Sequence, residues 1–235
     1  LSGIASGFLN VVGGGGSLIT LPLLTLLGMD LGVANGTNRI AILMQNITAV
    51  RSFYKDKVLP VKLSLLCAIP ATIGSIVGTY VVVSMPQTLL KKIVGALLLV
   101  MAFFIVAKPS MWSGRKKERL NVPLIVLAFF GIGFYGGFIQ AGVGFFFVFF
   151  TAVLLGLDLV RNNALKVLII LLYTPFSLMI FLFNGKVQPL AGFVLGMGSM
   201  IGAQLGAKFA VKKGVNWLRY ILLATVVASG VSYLV

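Results

Sequence analysis

Asn10-Val-Val-Gly-Gly-Gly-Gly-Ser17 interrupts an otherwise apolar run from Leu1 to Leu27. Four successive glycines are a poor helix interior, each costing about 1 kcal/mol relative to alanine. In hydrocarbon an unpaired backbone group costs still more, so such a break persists only where protein or a wet cavity surrounds it. Broken helices place free backbone N–H groups, the positive end of a helix dipole, where a ligand can use them. The same glycines also suit close packing of two helices, as small residues do in membrane bundles. The context of the run favours the first use.

Hydrophobic residues fill 59% of the 235 positions and charged residues 10%, with a mean hydropathy of +1.10. A soluble domain is far less apolar. The runs exceed the length that marks a membrane-crossing helix, and the short alternating pattern of an outer-membrane barrel is absent. The chain therefore reads as an all-α integral membrane protein, a polytopic helical bundle. The net charge of +15 does not point to nucleic acid, because Lys and Arg cluster in short connections such as Arg51-Ser-Phe-Tyr-Lys-Asp-Lys57 and Arg115-Lys-Lys-Glu-Arg119. That is the distribution of cytoplasmic loops. One cysteine, Cys67, supports no disulfide framework. With no histidine and four acids, zinc, haem and Ser-His-Asp chemistry lack their usual groups. Neither enzymatic activity, a metal nor a cofactor is expected, and no signal peptide or soluble domain is seen.

Apolar segments are expected over residues 2–28, 33–54, 61–84, 88–107, 124–157, 160–183, 189–211 and 215–235. The stretch 124–157 is too long for one span and is interrupted by six glycines between Gly131 and Gly144. Leu27-Gly-Met-Asp-Leu-Gly-Val-Ala-Asn-Gly36 matches Leu155-Gly-Leu-Asp-Leu-Val-Arg-Asn-Asn-Ala164 at an offset of 128, aligning Gly28, Asp30 and Asn35 with Gly156, Asp158 and Asn163. Gly74 and Gly78, spaced for close helix packing, fall on Gly202 and Gly206. Gly7, Phe8 and Asn10 match Gly137, Phe138 and Gln140. The chain thus divides into a first repeat (1–107), a cytoplasmic linker (108–121) and a second repeat (122–235). If each glycine-broken segment dips in and returns, or crosses twice, the basic loops 51–62, 108–119, at Arg161 and 208–219 share one face. A single crossing would divide them between both faces. The positive-inside rule favours the former, and with it two inverted repeats, each starting with a glycine-broken helical segment.

Ala34-Asn-Gly-Thr-Asn-Arg-Ile40 opens the second segment, and Asn162-Asn-Ala-Leu-Lys-Val167 opens its counterpart. Arg39 and Lys166 lie one position apart in the alignment, each within the first turns of an apolar helix. A cation there marks a pathway or a partner, unless its stem snorkels to the interface. Asp30 and Asp158 are placed to cap the helices that follow them, with ion coupling as the other use. Gln45 and Asn46 either line a cavity or bond a neighbouring helix. The candidate binding set is Asn10, Gly14, Gly15, Gly16, Ser17, Asn35, Thr37, Asn38, Arg39, Gln140, Asn163 and Lys166. Backbone N–H groups, amides and two cations, with scarcely an acid in the membrane segments, suit a small anion. The planar guanidinium of Arg39 matches an oxyanion bidentately.

The run Gly13-Gly-Gly-Gly-Ser-Leu-Ile-Thr-Leu-Pro22, then Ala34-Asn-Gly-Thr-Asn38, then Tyr54-Lys-Asp-Lys-Val58 resembles the TauE/SafE family of sulfite-exporter-like permeases, also called the 4-toluene sulfonate uptake permease family. The likeness extends over nearly the whole chain, including the weaker copy Gly136-Gly-Phe-Ile-Gln-Ala-Gly-Val-Gly144. It implies a multi-pass inner-membrane permease for sulfite, sulfonates or related sulfur-containing anions, often moving them outward. Carried over by position, the glycine run and Asn35–Arg39 become its binding candidates. The second half departs from the first where Gly15 and Gly16 align with Phe145 and Phe146, and Thr37 with Leu165, which implies an asymmetric site. The expectation is a secondary transporter with the anion bound between repeats that rock against each other; the alternative is an anion channel or a carrier for another small anion such as a carboxylate. The expected partners are the anion and the lipid bilayer. A proton or cation is the candidate coupling ion, and a homo-oligomer the candidate assembly.

Overall fold

The computed structural model describes residues 1–96 and 122–212. The linker 108–121, the end of the fourth segment, the last segment and the aromatics Trp112 and Trp217 lie outside the described residues. Every element among the described residues is helical: α1 (Ser2–Val12), α2 (Ser17–Leu26), α3 (Leu31–Lys55), α4 (Val61–Val83), α5 (residues 87–96), α6 (Val122–Phe138), α7 (Val143–Leu155), α8 (Leu159–Phe183) and α9 (Pro189–Lys212). Among the described residues, three helices, Val61–Val83, Leu159–Phe183 and Pro189–Ala210, are long and apolar enough to cross a membrane.

The first break closes α1 through the amides of Gly13 and Gly14, which donate to the Leu9 and Asn10 carbonyls, with Gly14 at φ 76°. That left-handed step lets a chain leave a helix at little cost only when the residue lacks a Cβ. The second break falls at residues 139–142, where Gln140 takes φ 64° and Gly142 φ 71°. After it, α7 begins. Matching turns recur 128 residues apart elsewhere: Gly28 at φ 88° with Gly156 at φ 60°, and Lys57 at φ 56° with Gly185 at φ 65°.

Packing exchanges helices between the two halves. α1 lies along α9, and α6 along α4; α3 packs on α9 and α8, and α8 on α4. Two bundles result, α1/α3/α9 and α4/α6/α8, and each contains helices from both halves. Glycines permit the closest approaches. A Cβ on Gly7 would overlap the Ser199 carbonyl and one on Gly202 the Ile4 carbonyl; the counterparts Gly137 and Gly74 would meet the carbonyls of Ser75 and Phe130. The outward faces are apolar, as a lipid-facing surface must be. Leu65, Ile69, Ile73 and Val77 of α4 and Phe193, Met197, Ile201 and Leu205 of α9 are all exposed, at spacings that keep each set on one helix face.

Candidate functional site

The two helix breaks meet in the interior. In the register that pairs Gly15 with Phe145, Gly14 pairs with Gly144, and these two glycines touch: a Cβ on either would overlap the Cα of the other. Around this contact four half-helix ends converge. Each pair contributes one C-terminus (α1, α6) and one N-terminus (α2, α7).

The C-termini are held by cations from the opposite half. Lys166 Nζ donates to the carbonyls of Asn10 and Val11, both at 3.0 Å, and Asn163 Nδ2 to that of Val12 at 3.3 Å. These are the last three residues of α1. Arg39 repeats the arrangement on α6: Nη1 donates to Gly136 O at 2.6 Å, Nη2 to Gly137 O at 2.8 Å, and Asn35 Nδ2 to Phe138 O at 2.7 Å. The last carbonyls of a helix lack partners within it and carry its negative dipole end, so a cation there is doubly favourable. Neither cation snorkels. Both side chains are 0% exposed, Arg39 lies about 12 Å along α3 from its start at 1.5 Å per residue, and both are bonded to buried backbone.

The N-termini of α2 and α7 lack that treatment. Neither Gly16 nor Gly142, their cap residues, provides a side-chain hydrogen bond. The acids among the described residues, Asp30, Asp56 and Asp158, are all exposed. The junction therefore combines two positive dipole ends, whose first amides bond preceding backbone carbonyls such as Gly15 O, Gly16 O and Gly142 O rather than an acid, with two cations whose nearest compensation is carbonyl groups. Such an interior is electropositive.

The cations differ in what they have left to offer. An ammonium has three donors, and Lys166 uses them on Asn10 O, Val11 O and Asn163 Oδ1. Arg39 has five, of which four are engaged, the remaining two on Gln140 Oε1 at 2.7 Å and Asn35 Oδ1 at 3.2 Å. Its Nε has no hydrogen-bond partner among the described residues, and neither does Nε2 of the adjoining Gln140. Gln140 is held by Tyr173, whose hydroxyl donates to the same Oε1 at 3.0 Å, and the Phe181 ring lies 5.4 Å from the guanidinium carbon. Two buried donors without acceptors, on side chains hydrogen-bonded to each other, are rare in proteins.

Of the sequence candidates, Arg39, Asn35 and Gln140 form this cluster, while Lys166, Asn163 and the Asn10 backbone form its counterpart. Asn38 faces α2, donating to Ser17 Oγ at 3.0 Å and accepting from Thr20 at 2.8 Å, which pins the start of α2 beside Arg39. Gly15 and Gly16 carry the chain into α2, Gly16 lying against Ser6 and Asn10 of α1, so the chain doubles back after the break. Thr37 stands apart and accepts from the Gln188 amide at the entry to α9, at 2.9 Å. Asn46 bonds its own helix at Ile42 O, and Gln45 Nε2 lacks a partner among the described residues. Asp158 caps α8 by accepting from Val160 N and Arg161 N, both at 3.0 Å, whereas Asp30 occupies the cap position of α3 without such a bond. The sequence reading missed Tyr173 and Phe181, aromatic residues in an aromatic-rich chain, and the carbonyls of Gly136 and Gly137.

A family model described as Sulfite exporter TauE/SafE matches residues 1–233. A probable membrane transporter protein of Haemophilus influenzae is 30% identical over 220 residues, 92% of this chain and 86% of the relative. The probable membrane transporter protein ORF9 of a Sinorhizobium species is 27% identical over 97% of this chain and 88% of its own, and YfcA of Escherichia coli K12 27% over 91% and 80%. No solved structure matches the chain significantly.

Proposed function

The chain belongs to the sulfite exporter TauE/SafE family and is a multi-pass membrane transporter rather than an enzyme, and we propose that it carries a small sulfur-containing anion, sulfite or an organosulfonate, outward across a cell (inner) membrane. The observation that carries the reading is the pair of unpartnered buried donors, Arg39 Nε and Gln140 Nε2, near the positive dipole ends at the starts of α2 and α7. An oxyanion supplies the acceptors that both lack and the negative charge that the junction is missing. Lys166, with no donor to spare, is left as a fastening for the end of α1.

The family description supports sulfur oxyanions over carboxylates. Inverted repeats fit a doubling back after each break, which Gly16 lying against Ser6 and Asn10 supports for the first, because three further crossings in a half then reverse the direction of the next. Alternating access follows from movement at the α3–α8 contact, where the two mixed bundles meet.

Thermal-shift titration of purified protein with sulfite, thiosulfate, sulfate, methanesulfonate, acetate and chloride tests the reading. Stabilisation by a sulfur anion that disappears in Arg39→Gln is expected. Stabilisation by acetate or chloride alone would overturn the substrate class, and equal sulfite binding by the variant would overturn the site.

A further inference from the structure

Ser75 and Thr79 of α4 and Ser177 of α8 form a fully buried hydroxyl cluster against the end of α6. Ser75 Oγ lies 3.1 Å from Ser177 Oγ, Thr79 Oγ1 is hydrogen-bonded to Ser177 Oγ, and Thr79 also reaches Gly137 O at 3.1 Å and Ser75 O at 2.7 Å. We propose that this cluster, the three hydroxyls with the Gly137 and Ser75 carbonyls, is the seat of an alkali cation of sodium type that loads together with the anion. The inference rests on the anion reading above.

Comparison of the two halves sets these hydroxyls apart. At the offset of 128, Ser75, Thr79 and Ser177 correspond to Ala203, Ala207 and Ala49. Those three alanines are also buried, and belong to one apolar cluster with Val11. At these three positions the same helix crossing is therefore made without hydroxyls on the other side, where the one buried hydroxyl of α9 along α1, Ser199, stands elsewhere on the crossing. Close packing does not need oxygen at these positions, yet all three carry it in one half and none in the other.

The chemistry of the cluster selects the guest. Five neutral oxygens, two of them backbone carbonyls and one at the end of a half-helix, are ligands for a hard monovalent cation. A transported proton needs a group that ionises, and neither hydroxyls nor carbonyls provide one. The acids among the described residues are exposed, away from this interior.

One shared atom connects the seat to the anion. Gly137 O accepts from Thr79 and also from Arg39 Nη2 at 2.8 Å. A cation bound to the hydroxyls stands one carbonyl away from the guanidinium charge, in an interior where such repulsion is strong. An anion on Arg39 Nε cancels that charge. Each ligand therefore raises the affinity for the other, by the same factor in both directions.

The test measures affinity for sulfite, and for methanesulfonate as the sulfonate probe, by thermal shift of the full chain. Titrations are run in sodium, potassium and choline chloride at equal ionic strength. Sodium is expected to tighten anion binding at least about fivefold over choline, the lower end of ordinary coupling between sites. In Ser177→Ala and Thr79→Ala, each of which installs the alanine of the other half, that ratio is expected to fall to one while binding in choline persists. Ser177→Thr, which keeps the oxygen, is expected to retain the ratio, and melting without ligand reports whether each variant folds. Equal affinity in all three salts would overturn the cation seat and leave the anion site standing. So would a sodium effect that persists in both alanine variants, which would place the cation elsewhere, or loss of stability alone, the mark of simple interhelical hydrogen bonds. Absence of anion binding in every salt would overturn the anion site and the seat with it.

Discussion

Gly14 and Gly144, corresponding residues of the two halves, are packed Cα against Cα where the helix breaks meet. The two breaks therefore leave no room for a side chain between them. Gly144→Ala must push the breaks apart, an overpacking cost of about 1–3 kcal/mol. Gly131→Ala is the control, since nothing lies within 4 Å of the added methyl and alanine is the better helix former. Melting of the two variants in detergent is expected to show a marked loss for Gly144→Ala and none for Gly131→Ala.

Gln140→Glu isolates the unpartnered donor. The carboxylate keeps an oxygen for Arg39 and Tyr173 but replaces the Nε2 donor with a second acceptor facing the anion. Melting without ligand is expected to hold or rise, because Arg39 gains an ionic partner, while sulfite binding weakens at least about tenfold, as for the loss of one charge-assisted hydrogen bond. Retained sulfite affinity would remove Gln140 from the site.

Arg39→Lys keeps the charge but cannot serve four acceptors with three donors. It is expected to lose both stability and anion binding. Lys166→Met strands the carbonyl of Val11, at about 1–3 kcal/mol when buried without a partner, while that of Asn10 keeps the Gly14 amide. Its expected effect is on melting, with anion affinity in the folded fraction changed far less. Counterflow in proteoliposomes gives a second measure: trans-stimulated exchange marks a carrier, whereas flux linear in concentration marks a pore.

The two aspartates at equivalent positions are expected to respond differently. Asp158→Ala removes a helix cap, at a cost of about 1 kcal/mol, and Asp30→Ala removes no such bond. Comparing the melting of the two variants checks this.

Much of this architecture was legible because it is written in chain-local signals. Glycine runs, apolar length and the recurrence of Gly28, Asp30 and Asn35 after 128 positions need no knowledge of what lies across the bundle. Arg39 and Lys166 stood out because a cation in an apolar helix demands a partner. Their partners were hidden, since the acceptors are backbone carbonyls of the opposite half, and a carbonyl has no letter in a sequence. The exchange of α1 and α6 between bundles was not legible either, because it depends on pairings across the halves, Gly7 with Ser199 and Gly74 with Phe130, that no local signal marks. The Ser75–Thr79–Ser177 cluster escaped for a different reason: in membrane helices such hydroxyls commonly bond their own preceding turn, and only their placement together distinguishes them.

The exchange of α1 and α6 between bundles has a consequence for assembly. Gly3 and Gly7 of α1 find their ridge on α9, which the ribosome produces only long after α1. Until then the first half holds an open glycine groove and an α1 terminus without Lys166, so it waits in the bilayer incomplete. A half-length chain of this design would fill that groove only with a second molecule of itself. Two separately produced halves should therefore find each other in one membrane and restore transport, where either half alone should be degraded.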